Sequence, residues 1–202
     1  MPLWLAGEPL VLASRSKARQ ALLEAAGVPI EVKPADLDER SLEAAASRAP
    51  PGEIAALLAR AKACAVATLC PGRLTLGADQ TLALGAACFA KPADMAAARA
   101  QLRALRGLTH ELHSAVALMR DGKTLFEHVG IARLTMRTFS DRFVDRYLET
   151  VGAAATASVG GYQIEGPGVQ LFERIEGDYF TVLGLPLLAV LDFLRGRGWL
   201  AS

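Results

Sequence analysis

Apolar positions along this chain follow two periods. Short runs at Leu10–Ala13, Ile30–Val32, Leu74–Leu84 and Glu111–Arg120 have the length and the Leu, Val and Thr content of strands. Longer stretches repeat every three to four residues and predict helices over Lys17–Ala26, Glu53–Leu69, Asp94–Arg106, Asp141–Thr150 and Leu187–Arg195. Their expected inward faces are Leu22, Leu23 and Ala26; Ile54, Leu58, Ala61, Ala65 and Leu69; Met95, Ala98, Leu102 and Leu105; and Phe143, Tyr147 and Leu148. The punctuation agrees: Gly27, Gly107 and Gly196 are helix stops, Pro51 suits a first turn, and Asp94 and Ser140 are N-cap residues. Asp121-Gly122 signals a type I′ turn that joins Glu111–Arg120 to a returning strand over Thr124–Arg137. Asp36 to Glu43 reads as an acidic loop, Gly160–Gly166 as a glycine-framed strand ending at Glu165, and Val169–Ile175 as a further strand. Alternation in the first half, then a hairpin and mixed order, argues for an α/β fold with a mixed sheet.

Within LTLGADQTLAL (Leu74–Leu84), Asp79 interrupts an otherwise apolar strand directly after Gly77 and Ala78. Asp is disfavoured in strands, and a carboxylate removed from water needs a partner. Two readings fit: an Asp capping a turn at a strand end, or a carboxylate held on a stiff strand to face a metal ion or a water. Earlier, a strand, the turn Ser14-Arg15-Ser16 and a helix start form an anion cradle, because first-turn N–H groups point out of a helix end. Arg15, Lys17 and Arg19 crowd the positive end of that helix dipole, with no acid before Glu24. Each such charge costs about 0.3–1 kcal/mol, and a bound phosphate would reverse the sign; a solvated basic turn is the alternative. Lys62, flanked by Leu58, Ala59, Ala65 and Val66, has the surround of a lysine snorkelling at an apolar edge.

A length of 202 residues fits one large domain or two lobes sharing one core. With 52% hydrophobic and 21% charged residues the composition is that of a folded, soluble chain. A net charge of +1 gives no global attraction to nucleic acid or anionic membrane, so any basic site must be local. Cys64, Cys70 and Cys88 have neither CxxC nor metal-ligand spacing, which points to a reducing cytoplasm without structural zinc or disulfides. The start, MPLWLAGEPLVLAS, lacks the basic end and unbroken apolar run of a signal peptide, and the apolar stretch at Val182–Leu191 is too short to span a bilayer. P-loop, dinucleotide, HExxH and GxSxG patterns are all missing, and His110 and His113 read as structural or solvated. There remain the cations Arg15, Arg19, Lys62 and Lys91 and the acids Glu39, Asp79, Glu165 and Asp178, all at element ends. Gathered in one cleft they would suit a polyphosphate ester with a divalent metal. Arg and Lys hold phosphate oxygens, carboxylates hold hydrated Mg²⁺ or Mn²⁺, and one carboxylate can deprotonate a water.

Several of these stretches, taken in order, resemble the Maf-type nucleoside triphosphate pyrophosphatases. They are Leu12-Ala13-Ser14-Arg15-Ser16-Lys17-Ala18-Arg19, Asp38-Glu39, Leu58-Ala59-Arg60-Ala61-Lys62-Ala63, Gly77-Ala78-Asp79, Lys91-Pro92, Thr109-His110 and the closing Gly177–Leu187. The resemblance covers nearly the whole chain, as a single domain over residues 1–202. It implies an elongated, two-lobed α/β body with a central cleft, like the Maf and inosine-triphosphatase architectures, and a homodimer. It implies hydrolysis of a nucleoside triphosphate between its α- and β-phosphates, with Asp79 accepting a proton from water. Ser14, Arg15, Arg19, Lys62 and Lys91 would contact the substrate, and Glu39 with Asp79 would hold Mg²⁺ or Mn²⁺. Lys17 replaces the family's usual Pro, and Ala90-Lys91 its usual Gly-Lys. Substrate choice in the family tracks positions that fall here on Ala18, Gln80 and Glu165; Gln80 and Glu165 look like the branch acting on 7-methyl-GTP, while Ala18 matches neither branch. A carboxylate at Glu165 could accept hydrogen bonds from a guanine edge.

Two other classes compete. A non-catalytic nucleotide- or nucleic-acid-binding module could use the same basic cleft, but the near-neutral charge and the lack of interleaved aromatics count against nucleic acid. A phosphotransferase with an acceptor other than water would release no free pyrophosphate. A dTTP- or UTP-preferring pyrophosphatase is the alternative within the family.

Overall fold

In the computed structural model, which describes residues 3–202, β1 (Leu10–Ala13) is buried along its whole length. It pairs in parallel with β2 (Ile30–Val32) and with β3 (Thr75–Leu84), placing Ala13 opposite Gly77. Between them lie three helices: α1 (Lys17–Ala25), α2 (Glu39–Ala45) and α3 (Pro51–Ala67). Strand β4 (Ala87–Phe89) returns antiparallel on β3, and α4 (Met95–Leu105) follows, capped by Asp94 through Ala97 N as expected. Next come β5 (Thr109–Arg120) and β6 (Lys123–Met136), joined by Asp121 and Gly122 at φ of 50° and 73°, the two left-handed residues that a type I′ turn requires. Helix α5 (Asp141–Val151) is capped by Ser140. Strand β7 (Phe172–Glu176) pairs antiparallel with β6, and α6 (Tyr179–Val182) and α7 (Leu187–Gly196) close the chain. The strand order is β2-β1-β3-β5-β6-β7, with β4 on β3, a mixed seven-stranded sheet.

The chain divides into two compact units. The first holds residues up to Gln80, His113–Gly130 and Asp178–Ser202; the second holds Thr81–Leu112 and Ile131–Gly177. In the first unit, alternation along the strands feeds two cores. Leu10, Leu12, Leu74, Leu76, Ala78 and Val116 pack with Leu23 of α1 and Val190 and Leu194 of α7. On the other face, Ala55, Ala59, Ala63 and Ala67 of α3 pack with Ala115, Ala117 and Met119. Asp79 and Gly77 share parity on β3, opposite to that of Ala78 and Gln80. In the second unit, buried His110 and Tyr162 form an aromatic group with half-buried Phe172, with Tyr162 edge-on to Phe172 at 4.8 Å.

Several expectations are corrected. The acidic stretch is not all loop: Asp38 caps α2 by accepting from Ser41 N and Ser41 Oγ, so Glu39 lies in a helical first turn. Gly160–Gly166 is not a strand. Gly160 and Gly161 adopt φ of 79° and 75°, which no ladder allows, and the segment folds as 3₁₀ and other turns. The strand expected from Val169 starts at Phe172, after a 3₁₀ turn over Pro167–Leu171. On α3 Ile54 and Leu58 are buried as expected, but the buried face also carries Ala55, Ala59, Lys62, Ala63 and Val66, while Leu69 is exposed. A helix so rich in alanine has nearly uniform hydrophobicity beyond Ile54 and Leu58, so its periodicity did not show how far the buried face extends. Among the described residues, no helix is long and apolar enough to cross a membrane.

Candidate active site

The centre of the first unit is an ammonium held between two carboxylates. Lys62 Nζ lies 2.6 Å from Asp79 Oδ1 and 2.7 Å from Glu39 Oε2. Each partner comes from a different element: Lys62 from α3, Asp79 from β3, and Glu39 from the first turn of α2, where an acid suits the helix dipole. Lys62 and Asp79 are both only 9% exposed, so this pair is not a screened surface contact. Lys62 therefore lies inside the packed face rather than snorkelling at its rim. Its approach depends on Gly77: a Cβ there would stand 2.1 Å from Ala59 O and 2.5 Å from Ala63 N. Only a glycine lets β3 lie this close to α3. Asp79 Oδ2 has no hydrogen-bond partner among the described residues and remains an acceptor.

A second cation lies on the neighbouring turn. Arg19 is 8% exposed, and its guanidinium donates from Nε to Gly184 O at 2.7 Å, and from Nη1 to Ala78 O at 2.9 Å and Ser14 Oγ at 3.1 Å. Burial lowers the Arg19 pKa, and the Asp79 and Glu39 carboxylates oppose that shift. Ser14 Oγ also accepts from Ser16 N, and Ser16 Oγ caps Arg19 N, which fixes the turn at the start of α1. Arg15 is exposed, without an ion pair or hydrogen bond from its side chain among the described residues. Glu43 lies one turn after Glu39 on α2, and burial, then the Asp79 and Glu39 charges, raise its carboxyl pKa.

The positions expected to influence substrate choice differ in setting. Ala18 is half-buried on α1. Gln80 Nε2 donates to Ser114 Oγ at 2.9 Å, Val182 O at 3.1 Å and Thr181 O at 3.2 Å. Lys91 and Glu165 belong to the second unit, where both are exposed and neither side chain has a hydrogen bond or ion pair among the described residues. The structure thus brings Ser14, Arg19, Glu39, Lys62 and Asp79 together in one unit. Sequence reasoning missed Ser114 and Thr181, which carry no charge, and left Glu43 as part of an acidic loop. An i, i+4 spacing from Glu39 was the available signal for Glu43.

The donor set can be tested for a metal. Glu39 and Asp79 face the point where Lys62 Nζ sits, and both offer hard oxygens. Among the described residues, no group of three or more His, Cys, Asp or Glu side chains could hold an ion. Two carboxylates suit Mg²⁺ or Mn²⁺, which complete their shells with water and phosphate oxygens, and do not suit zinc.

Residues 9–197 match the model of a family described as Maf-like protein. The chain belongs to that family. Full-length Maf-like relatives are similar throughout. A nucleoside triphosphate pyrophosphatase of Rhodopseudomonas palustris (strain ATCC BAA-98 / CGA009) is 59% identical over 201 residues, covering 100% of both chains. A 7-methyl-GTP pyrophosphatase of Mesorhizobium japonicum is 56% identical over 95% of this chain and 97% of its own. One of Brucella abortus is 54% identical over 92% and 94% respectively.

Proposed function

We propose that this chain is a nucleoside triphosphate pyrophosphatase that hydrolyses the α–β phosphoanhydride to the monophosphate and pyrophosphate. The observation that carries the reading is Lys62 held between Glu39 and Asp79, with Asp79 Oδ2 left as an acceptor, in a Maf-like chain whose full-length relatives bear that name. Asp79 Oδ2 takes a proton from the attacking water, and β3 and the Lys62 hydrogen bond orient that carboxylate. The basic turn of Ser14, Arg15 and Arg19 at the start of α1 supplies positive charge for phosphate oxygens, as does Lys62. Lys91 is assigned to the same task. Glu39 and Asp79 would hold a Mg²⁺ or Mn²⁺ ion, which supplies charge neutralisation and polarisation of water when bound.

For the base, the reading is a methylated guanine nucleotide such as 7-methyl-GTP. The names of the Mesorhizobium and Brucella relatives support it, together with Gln80 and Glu165; Ala18 is the third position expected to influence choice. We assign the chain to the cytoplasm, acting as a homodimer in nucleotide house-cleaning without nucleic acid. The test is pyrophosphate release from a panel of 7-methyl-GTP, GTP, dTTP, UTP and CTP, with Mg²⁺ and with Mn²⁺. Chelation stops turnover, and Asp79→Asn lowers kcat by about 10²–10⁴-fold. Full activity of Asp79→Asn on every nucleotide that the wild type cleaves removes Asp79 as the proton acceptor. Dominant hydrolysis of dTTP or UTP replaces the base assignment.

A further inference from the structure

The polar group behind the Arg19 guanidinium has no role in the chemistry above, yet it is continuous with the site. Thr181 O accepts three hydrogen bonds: from Ser114 Oγ at 2.7 Å, from Gly184 N at 3.0 Å and from Gln80 Nε2 at 3.2 Å. Gln80 Nε2 also reaches Val182 O and Ser114 Oγ. Asp178 fixes the other end of this segment, accepting from Phe180 N at 3.1 Å and Thr181 N at 2.9 Å, and from Thr181 Oγ1. These bonds add side-chain donors to the carbonyls at the C-terminal end of α6, where Gly184 N reaches Thr181 O from the backbone. The segment Asp178–Gly184 is therefore clamped from β3 and β5, and its last residue presents Gly184 O to Arg19 Nε.

The chemistry leaves one way to read these contacts. Thr181 O and Val182 O can only accept, so the Gln80 amide must turn its NH₂ group toward them. The Ser114 hydroxyl donates to Thr181 O and so accepts from Gln80. Gly184, at φ of 92°, has Arg19 Nη2 within 3.3 Å of where a Cβ would stand, so the turn and the guanidinium are closely fitted. Arg19 in turn donates to Ser14 Oγ, the hydroxyl at the basic turn.

We propose that Ser114 is a positioning residue. Ser114, with Gln80, locks the Asp178–Gly184 segment, which sets the direction of Arg19 and through it the Ser14 turn that takes the triphosphate. Position 80 then acts on the phosphate-binding turn as well as on substrate choice. This rests on the pyrophosphatase reading, so its test includes a measurement that needs no turnover.

Ser114→Ala, Gln80→Ala, the double variant and Ser114→Thr are compared with wild type. The expected result is a fall in kcat/KM of about tenfold in each alanine variant. In Ser114→Ala the same factor applies to purine and pyrimidine triphosphates and to inorganic tripolyphosphate, and KM carries most of it. The double variant is no worse than Gln80→Ala, because both residues hold one carbonyl. Ser114→Thr, which keeps the hydroxyl, restores the wild-type value. In the nucleotide-free protein, amide hydrogen exchange over Phe180–Leu185 accelerates about five- to tenfold in Ser114→Ala, with exchange elsewhere unchanged. A Ser114→Ala effect that differs between bases overturns the proposal, as does unchanged exchange in that variant. A wild type that releases no pyrophosphate from any nucleotide sinks the function instead and leaves the exchange experiment to judge the clamp.

Discussion

Replacing Gly77 with alanine tests the close approach on which the whole site stands. The new Cβ would sit 2.1 Å from Ala59 O, 2.5 Å from Ala63 N and 2.9 Å from Ala63 Cβ. Two of these three contacts are backbone, so no rotamer change relieves them. Restoring an ordinary contact of ~3.4 Å to the carbonyl moves α3 and β3 apart by ~1.3 Å, in an interior that is close-packed throughout. Overpacking costs about 1–3 kcal/mol where side chains can yield and more where they cannot; about 3 kcal/mol or more is expected here. With a urea m-value of about 2 kcal/mol/M, the midpoint falls by roughly 1.5 M. The same displacement stretches the Lys62–Asp79 contact from 2.6 Å toward the limit of a hydrogen bond, so pyrophosphate release falls even under conditions where the variant stays folded. Urea titration by circular dichroism and a pyrophosphate assay at low temperature read the two effects separately. Ala63→Gly added to Gly77→Ala removes only the 2.9 Å contact and therefore rescues little. A Gly77→Ala protein with the wild-type midpoint and full turnover would refute the packing argument, and complete rescue by Ala63→Gly would assign the clash to the side chain.

Two further outcomes concern the second unit. Burial holds the His110 imidazole at about 4, against 6.5 for the free group. The unfolded chain therefore binds the proton first as pH falls, so stability contributed by neutral His110 is full above 6.5. It is lost progressively down to about 4, a loss of about 3 kcal/mol. Urea midpoints of wild type and His110→Gln across pH 7 to 4.5 should converge on the acid side, and parallel curves would count against this. Tyr162 OH lies 2.7 Å from His110 Nε2, and His110 Nδ1 already has no hydrogen-bond partner among the described residues. Tyr162→Phe leaves the ring with neither nitrogen satisfied and costs about 1–3 kcal/mol; an unchanged thermal midpoint would show that the bond contributes nothing.

The mixed α/β class, the hairpin turn and the helix caps at Asp94 and Ser140 were all written in local residue chemistry. Each depends on a few adjacent residues: an Asp-Gly pair that tolerates left-handed backbone, or a short polar side chain facing the next turn's N–H groups. Asp79 was conspicuous for the same reason, since a carboxylate in an apolar strand violates a rule visible in one dimension. Three further features needed three dimensions. Ile54 and Leu58 marked part of the inward face of α3, but the alanine side that meets β3 is chosen by fit against Gly77, and that fit carries Lys62 to Asp79. The glycines at 160 and 161 looked like the frame of a strand, but their left-handed backbone, with Leu82 and the Tyr162 ring tight against Gly160, makes a turn. Ser114 and Thr181 are neutral, common residues whose importance arises only from meeting across 67 residues of chain. Local propensity thus set the elements and marked the acid, while the close approach of β3 to α3 decided which cation it would meet.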